Sequence, residues 1–317
     1  MKKMIFLKKY PAAIFSGAVR YLFFISLSYV LLYPFLYIIV NSVKSFSDAY
    51  DATVTWAPKS IYFGNILSAF KVFDIKSTAL NSFVYEIISA VLQFCSCAVA
   101  AYGLARFNFR GKRIMMGLLI VNILVPAMMI ITPSYVNYSH MDFLGVLGLV
   151  SKLTGHDLRP NLVGTPLVFY LPSLLGVGLK GGLFIYIFNQ FFKGLPKELE
   201  EAAWIDGAGS WKTFLRIIIP SSGPPIITVS LFSIIWHWND LFFAQMYMNE
   251  PTLAVALNNF NANTTTEALG LDMQMSSMLD VPILLSGCLL FIFPMIVFYL
   301  IMQKRFMASI ATVGIVG

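Results

Sequence analysis

The chain is poor in charge: only 12% of its 317 residues are Asp, Glu, Lys or Arg, against about a quarter in soluble domains. It has three cysteines. Cys95, Cys97 and Cys288 all sit inside apolar runs at spacings that match no metal pattern. They read as small packing residues, and no disulfide framework is implied. The three histidines, His140, His156 and His237, are isolated, with no i,i+4 pairing that would suit a metal. Paired carboxylates or a histidine cluster at one depth, the marks of a membrane enzyme, are missing. So is any GxxxxGK[ST] loop, so the chain itself holds no ATP-hydrolysing site. No cofactor and no metal are expected on it.

What the chain has in quantity is apolar length. Hydrophobic residues make up 58%, and several runs approach the roughly 20 residues that cross a bilayer core. The expected fold class is all-α: a polytopic membrane protein forming one domain over 1–317, with six transmembrane helices at about 21–43, 81–104, 114–135, 174–192, 226–243 and 281–302. The basic, apolar start resembles a signal peptide. However, the run from Tyr21 to Val40 is too long for one and lacks a nearby small-x-small cleavage site, so it reads as a retained helix. Between Lys44 and Leu80 an ordered loop with a short helix near Ile66–Val72 is expected. Val163–Phe192, broken by Pro166, Pro172, Gly176, Gly178, Gly181 and Gly182, reads as an irregular portion leading into a helix. Irregular backbone is tolerated at membrane depth only where protein or a water-filled cavity satisfies it.

The net charge of +7 then concerns topology and not nucleic acid. With six spans and both termini cytoplasmic, fifteen Lys and Arg fall inside. Seven remain: Lys44, Lys59, Lys71, Lys76, Lys152, Arg159 and Lys180. That asymmetry follows the positive-inside rule. It puts the most polar interruption, Leu195–Pro220 (LPKELEEAAWIDGAGSWKTFLRIIIP), in the cytoplasm.

This loop has an ordered grammar. Pro196 can open a helix. Glu198, Glu200 and Glu201 suit the positive end of the helix dipole, and Ala202 and Ala203 keep its surface low. Gly207 and Gly209 end the helix, and a second one over Trp211–Ile219 runs into Pro220. Such a protrusion fits a socket on a partner.

The spacing Glu201-Ala202-Ala203, three residues, Gly207, nine residues, Ile217, one residue, Ile219-Pro220 resembles the EAA signature of permeases in binding-protein-dependent ATP-binding cassette (ABC) importers. Ile219 stands where Leu is usual. AAYGLARFNFRGKR (Ala100–Arg113), ELEEAAWIDGAG (Glu198–Gly209) and WHWND (Trp236–Asp240) resemble the maltose-type carbohydrate permeases, in particular the shorter, second permease subunit. Two features depart from the family: a longer Val136–Gly182 segment, and a GIVG ending where relatives have Gly-x-x-Gly-x-x-Lys-Gly.

The resemblance implies a type I ABC importer permease fold and a place in a bacterial cytoplasmic (inner or plasma) membrane. The implied partners are a homologous second permease, two ATPase subunits carrying ATP and Mg, an extracytoplasmic solute-binding protein, and a sugar substrate. It assigns ATPase coupling to the loop over 195–220, with Glu198, Glu201, Ala202, Ala203, Asp206, Gly207 and Gly209. The rival class is an ion-coupled secondary transporter, which calls for membrane carboxylates and internal repeats; Glu86 alone is thin support for it.

Polar groups within spans are functional candidates because lipid makes them costly. Glu86 is expected to reach the interface. Lys180 either snorkels or lines the pore. Asn122 either lines the pathway or bonds a neighbouring helix. Trp236 and Trp238 could stack on sugar rings while Asn239 and Asp240 bond hydroxyls. The alternative is that the aromatics anchor the interface and Asn239–Asp240 cap a helix.

Overall fold

A computed structural model describes residues 2–142 and 145–314, with side-chain surroundings over 17–142, 145–304 and 306–307. The GIVG ending lies largely outside the described residues, which stop at Gly314. Apart from two isolated bridges, Lys44 to Ile61 and Gly164 to Met248, the regular structure among the described residues is helical. In chain order come α1 (Lys2–Ser42), α2 (Phe46–Ala49), α3 (Gly64–Val72), α4 (Ile75–Arg106), α5 (Lys112–Leu124) and α6 (Ala127–Ser139). Then follow α7 (Val146–Thr154), α8 (Leu167–Leu174), α9 (Gly181–Gly194), α10 (Glu198–Ile205), α11 (Ser210–Thr213), a π-helical turn (Phe214–Ile218) and α12 (Ile219–Ser221). The remainder is α13 (Gly223–Trp238), α14 (Phe242–Tyr247), α15 (Leu253–Asn258), α16 (Ala262–Leu269) and α17 (Met273–Gly314).

Three of these helices are long and apolar enough to cross a membrane: Gly17–Ser42, Ile75–Arg106 and Met273–Lys304. Two bent pairs raise the number to five: α5 with α6, at 104°, and Ser210–Ser221 with α13, at 81°. The third helix expected over 114–135, with interruptions at Asn122, Pro126 and Pro133, is broken at Pro126 into α5 and α6. Pro126 lacks an N–H and drives the preceding residue from helical geometry, and Val125 takes an extended φ of −68° and ψ of 121°. The fourth helix expected over 174–192 begins only at Gly181, because Lys180 turns into the left-handed region at φ 61°. At 14 residues it is about 21 Å long, short of the bilayer core. The fifth is shifted to 223–238: Pro224 and Pro225 fit its first turn, where a missing N–H costs nothing. In the second bent pair, Pro220 cannot donate to a carbonyl one turn back, and the backbone widens into the π-helical turn just before it.

The chain divides into two compact units, Met1–Phe73 with Phe260–Ile292, and Asp74–Asn259 with Phe293–Gly317. In the first, α1 is apolar and exposed over residues 18–37, as lipid contact allows. Its end is stitched down by polar contacts. Asn65 Nδ2 donates to the carbonyls of Ser42 (3.1 Å) and Lys44 (2.8 Å), and Lys44 Nζ donates to Val54 O at 2.8 Å. Buried Asp48 accepts from the Lys59 amide at 2.8 Å. The short helix expected near Ile66–Val72 is α3.

The second unit is organised around α4, against which α8, α9 and α13 pack. In lipid, helices associate by close packing and interhelical hydrogen bonds and gain little from hydrophobic transfer. Both devices are present. Phe184, Phe188, Phe192, Phe214, Ile218 and Val229 form a buried cluster with Cys97, Ala98 and Ala101 of α4. The polar face of α4 meets the irregular segment before α9: Gln93 Nε2 donates to Leu179 O at 2.6 Å, Ser96 Oγ to Ser173 O at 2.5 Å and Cys97 Sγ weakly to Gly181 O at 3.6 Å. The broken backbone is thus satisfied by protein, as membrane depth demands.

Candidate functional site

The Leu195–Pro220 loop is held at its base and free at its tip. Arg106, the last residue of α4, donates through Nε to Glu200 Oε1 at 2.8 Å and through Nη2 to Leu195 O at 3.0 Å. The side chains of this pair are only 6% and 4% exposed. Ala203 is buried beneath α10, whereas Glu198, Glu201, Ala202, Asp206, Gly207 and Gly209 are exposed, and Ile205 is 86% exposed. Gly207 follows α10 at φ 76°, a conformation a Cβ would strain, and its amide donates to Trp204 O at 3.0 Å. The chain then turns into α11 and the buried aromatic contacts of Phe214 with Tyr102 and Phe192. A rigid base under an exposed acidic and apolar tip can bind another protein and pass force into α4.

A family described as "Binding-protein-dependent transport system inner membrane component" matches residues 97–311, a stretch that contains this loop. The chain belongs to that family. Among this permease's relatives, the trehalose transport system permease protein SugB of Mycobacterium tuberculosis is 28% identical, covering 90% of this chain and 93% of that protein. The diacetylchitobiose uptake system permease protein NgcG of Streptomyces coelicolor is 25% identical, over 93% and 87% respectively. A solved bacterial ABC transporter involved in importing the acidic polysaccharide alginate contains a chain of the same fold. It has a TM-score of 0.67 and 22% identity, covering 93% of the permease and 97% of that chain. The type I importer fold and the multi-pass membrane character expected from the sequence agree with these matches.

The permease also holds a cavity of about 180 Å³ among α5, α6, α8, α9, α13 and α14. Of the sequence-derived pathway candidates, it gathers Asn122 and Trp236. Asn122 stands so close to α9 that a Cβ on Gly182 would collide with its Oδ1, so it both lines the cavity and fills a helix contact. Trp236 packs on Phe232 and Phe184, with centroids at 5.3 and 5.6 Å, and Lys180 Nζ lies 5.7 Å from its ring.

The other three candidates stand elsewhere. Trp238 is buried against Phe83 at 5.0 Å. Asp240 is buried, accepting from Tyr85 OH at 3.2 Å and from the Phe243 amide at 3.2 Å, where it serves α14. Asn239 is exposed, and its Nδ2 donates back to Ile235 O at 2.8 Å. Glu86 does not reach an interface: it is 2% exposed, and its Oε2 has no hydrogen-bond partner. Its position on the face of α4 that also buries Ser82, Ser89 and Gln93 explains the difference, since hydropathy alone does not reveal which way a helix faces.

The cavity residues that sequence reasoning missed include Ser134, Tyr138, Phe243 and Tyr247, and it left Lys180 undecided; the structure puts Lys180 on the cavity wall. It also missed Glu200 as the partner of Arg106. The available signal was a basic residue ending one helix and an acidic one opening another, but their separation of 94 positions put the pairing beyond local periodicity.

Proposed function

We propose that this permease is the membrane subunit of an ATP-driven importer of carbohydrate, working by alternating access. What supports this reading most is the loop: an exposed EAA surface fixed to α4 through a buried ion pair. Glu201, Ala202, Asp206 and Gly207 enter a cleft on a partner ATPase. Ala203 seats the short helix, Glu198 lies at its start, and Gly209 turns the chain out. The loop is cytoplasmic, as are both termini, and six segments cross a bacterial cytoplasmic membrane, with α8 and α9 together forming the one that neither is long enough to form alone. ATP and Mg bind to two partner ATPases and not to this chain. A second permease completes the pathway, and an extracytoplasmic binding protein delivers the sugar.

The substrate class rests on the resemblance of the WHWND stretch to maltose-type permeases and on the names of the relatives, which specify trehalose and diacetylchitobiose. The cavity fits a pathway shared between subunits. At about 180 Å³ it is smaller than the roughly 300–1,000 Å³ of self-contained ligand pockets. Asn122 and Trp236 face the passing sugar, while Trp238, Asn239 and Asp240 shape the helix end above it.

The test is reconstitution of the complete transporter in vesicles, with ATPase activity measured with and without the binding protein. Glu201→Lys is expected to abolish stimulation and sugar uptake while leaving the permease folded. Uptake at the unaltered rate would remove the loop from the coupling path.

A further inference from the structure

The cavity is chemically lopsided. Its polar side chains are Asn122, Ser134, Tyr138, Tyr247 and the indole of Trp236, and its single formal charge is Lys180; no carboxylate lines it. Two buried acidic residues of the same unit are absent from its lining. Asp240 holds Tyr85 and the start of α14, and Glu86 is buried on α4. Among the ion pairs of the described residues, none involves Lys180. Its ammonium rests near the Trp236 ring at 5.7 Å, an interaction weaker than a charge-assisted hydrogen bond to an anion.

The backbone at this position points the same way. Lys180 adopts φ 61° and ψ 19°, a conformation that disfavours any residue with a Cβ and that glycine takes freely. Glycines stand at 178, 181 and 182, yet the strained position itself carries lysine. A strained position that carries a side chain where glycine would fit is a candidate for function. Lys180 also opens α9, a helix of 14 residues, whose positive dipole end adds to the ammonium. In membrane transporters, half-helix starts of this kind face anionic substrate groups.

We propose that the cavity selects carbohydrates bearing an anionic group, a carboxylate, sulfonate or phosphate, with Lys180 as the residue that recognises the charge. This rests on the carbohydrate-importer reading above. As the anion enters, Lys180 leaves the Trp236 face to bond it, freeing apolar surface of the indole for the sugar ring.

The complete transporter, reconstituted with its binding protein, is assayed for uptake of three labelled disaccharides of one linkage: neutral, uronate-containing and 6-sulfonated. The wild type is expected to take up one or both acidic sugars. Lys180→Gln lowers that uptake roughly 10- to 100-fold, the span of a lost hydrogen bond to a charged group, and Lys180→Arg retains most of it. Because the binding protein is common to all variants, the change belongs to the permease.

Uptake of the neutral sugar alone overturns the anion proposal and leaves the carbohydrate reading standing. An equal loss of all sugars in Lys180→Gln also overturns it, marking Lys180 as structural. Stimulated ATPase without uptake of any of the three overturns both readings.

Discussion

Glu200→Gln keeps the shape of the side chain and removes the negative half of a buried pair, leaving Arg106 charged at 6% side-chain exposure. Removing one partner of a buried ion pair costs about 3–5 kcal/mol, because the remaining charge is uncompensated. Arg106 keeps its bond to Leu195 O, so the lower end, about 3 kcal/mol, applies. That is roughly a 150-fold shift in the equilibrium between a seated and an unseated α10.

A loop unseated this often still reaches its ATPase but no longer pulls on α4. Binding-protein stimulation of ATPase activity should fall by at least tenfold, while the subunits still co-purify. Hydrogen exchange over residues 198–206 should accelerate in the same variant. The decisive comparison is Arg106→Met with Glu200→Gln, which removes both charges. With no orphaned charge left, the double variant should recover much of what each single change loses, giving a coupling energy on the order of 2 kcal/mol or more. Strict additivity of the two losses would refute the ion-pair reasoning.

Three further outcomes are expected. Gly207→Val places a β-branched residue at φ 76° and should cost about 1–3 kcal/mol of local stability, read as faster proteolysis within the loop and weaker co-purification of the ATPases. Gln93→Leu strips the donor from Leu179 O; the unsatisfied carbonyl costs about 1–3 kcal/mol and should lower the melting temperature of the detergent-solubilised complex. Gly182→Ala drives a methyl group against Asn122 Oδ1, so it should lower the melting temperature of the same complex, and pairing it with Asn122→Ala should restore part of that loss.

Much of the architecture was legible because it is local. The cores of α1, α4 and α17 announce themselves by apolar length, α3 by its flanking polar stretch, and the loop by its helix–glycine–helix spacing. Pro126 marked an interruption, yet a proline's presence does not give the angle, and the bend of 104° depends on what α5 and α6 pack against. Trp236 and Trp238 are two residues apart on one helix, which turns them about 200° from each other. One therefore lines the cavity while the other is buried on Phe83, and composition treats them alike. Arg106 with Glu200, and Gln93 with Leu179, are contacts between distant positions, for which neighbouring residues carry no record.

The hydrogen bonds from α4 to the backbone before α9 carry an implication for biogenesis. Ser173, Leu179 and Gly181 offer carbonyls to the side chains of Ser96, Gln93 and Cys97, and Leu179 O, in the irregular stretch, takes its bond from Gln93. Every donor precedes its acceptor in the chain, so the ribosome delivers the donor helix before the segment that depends on it. The broken stretch can enter the bilayer against a template already in place. Rejoining the chain so that residues 163–194 emerge ahead of α4 would reverse that order and leave Leu179 O without its Gln93 donor during insertion.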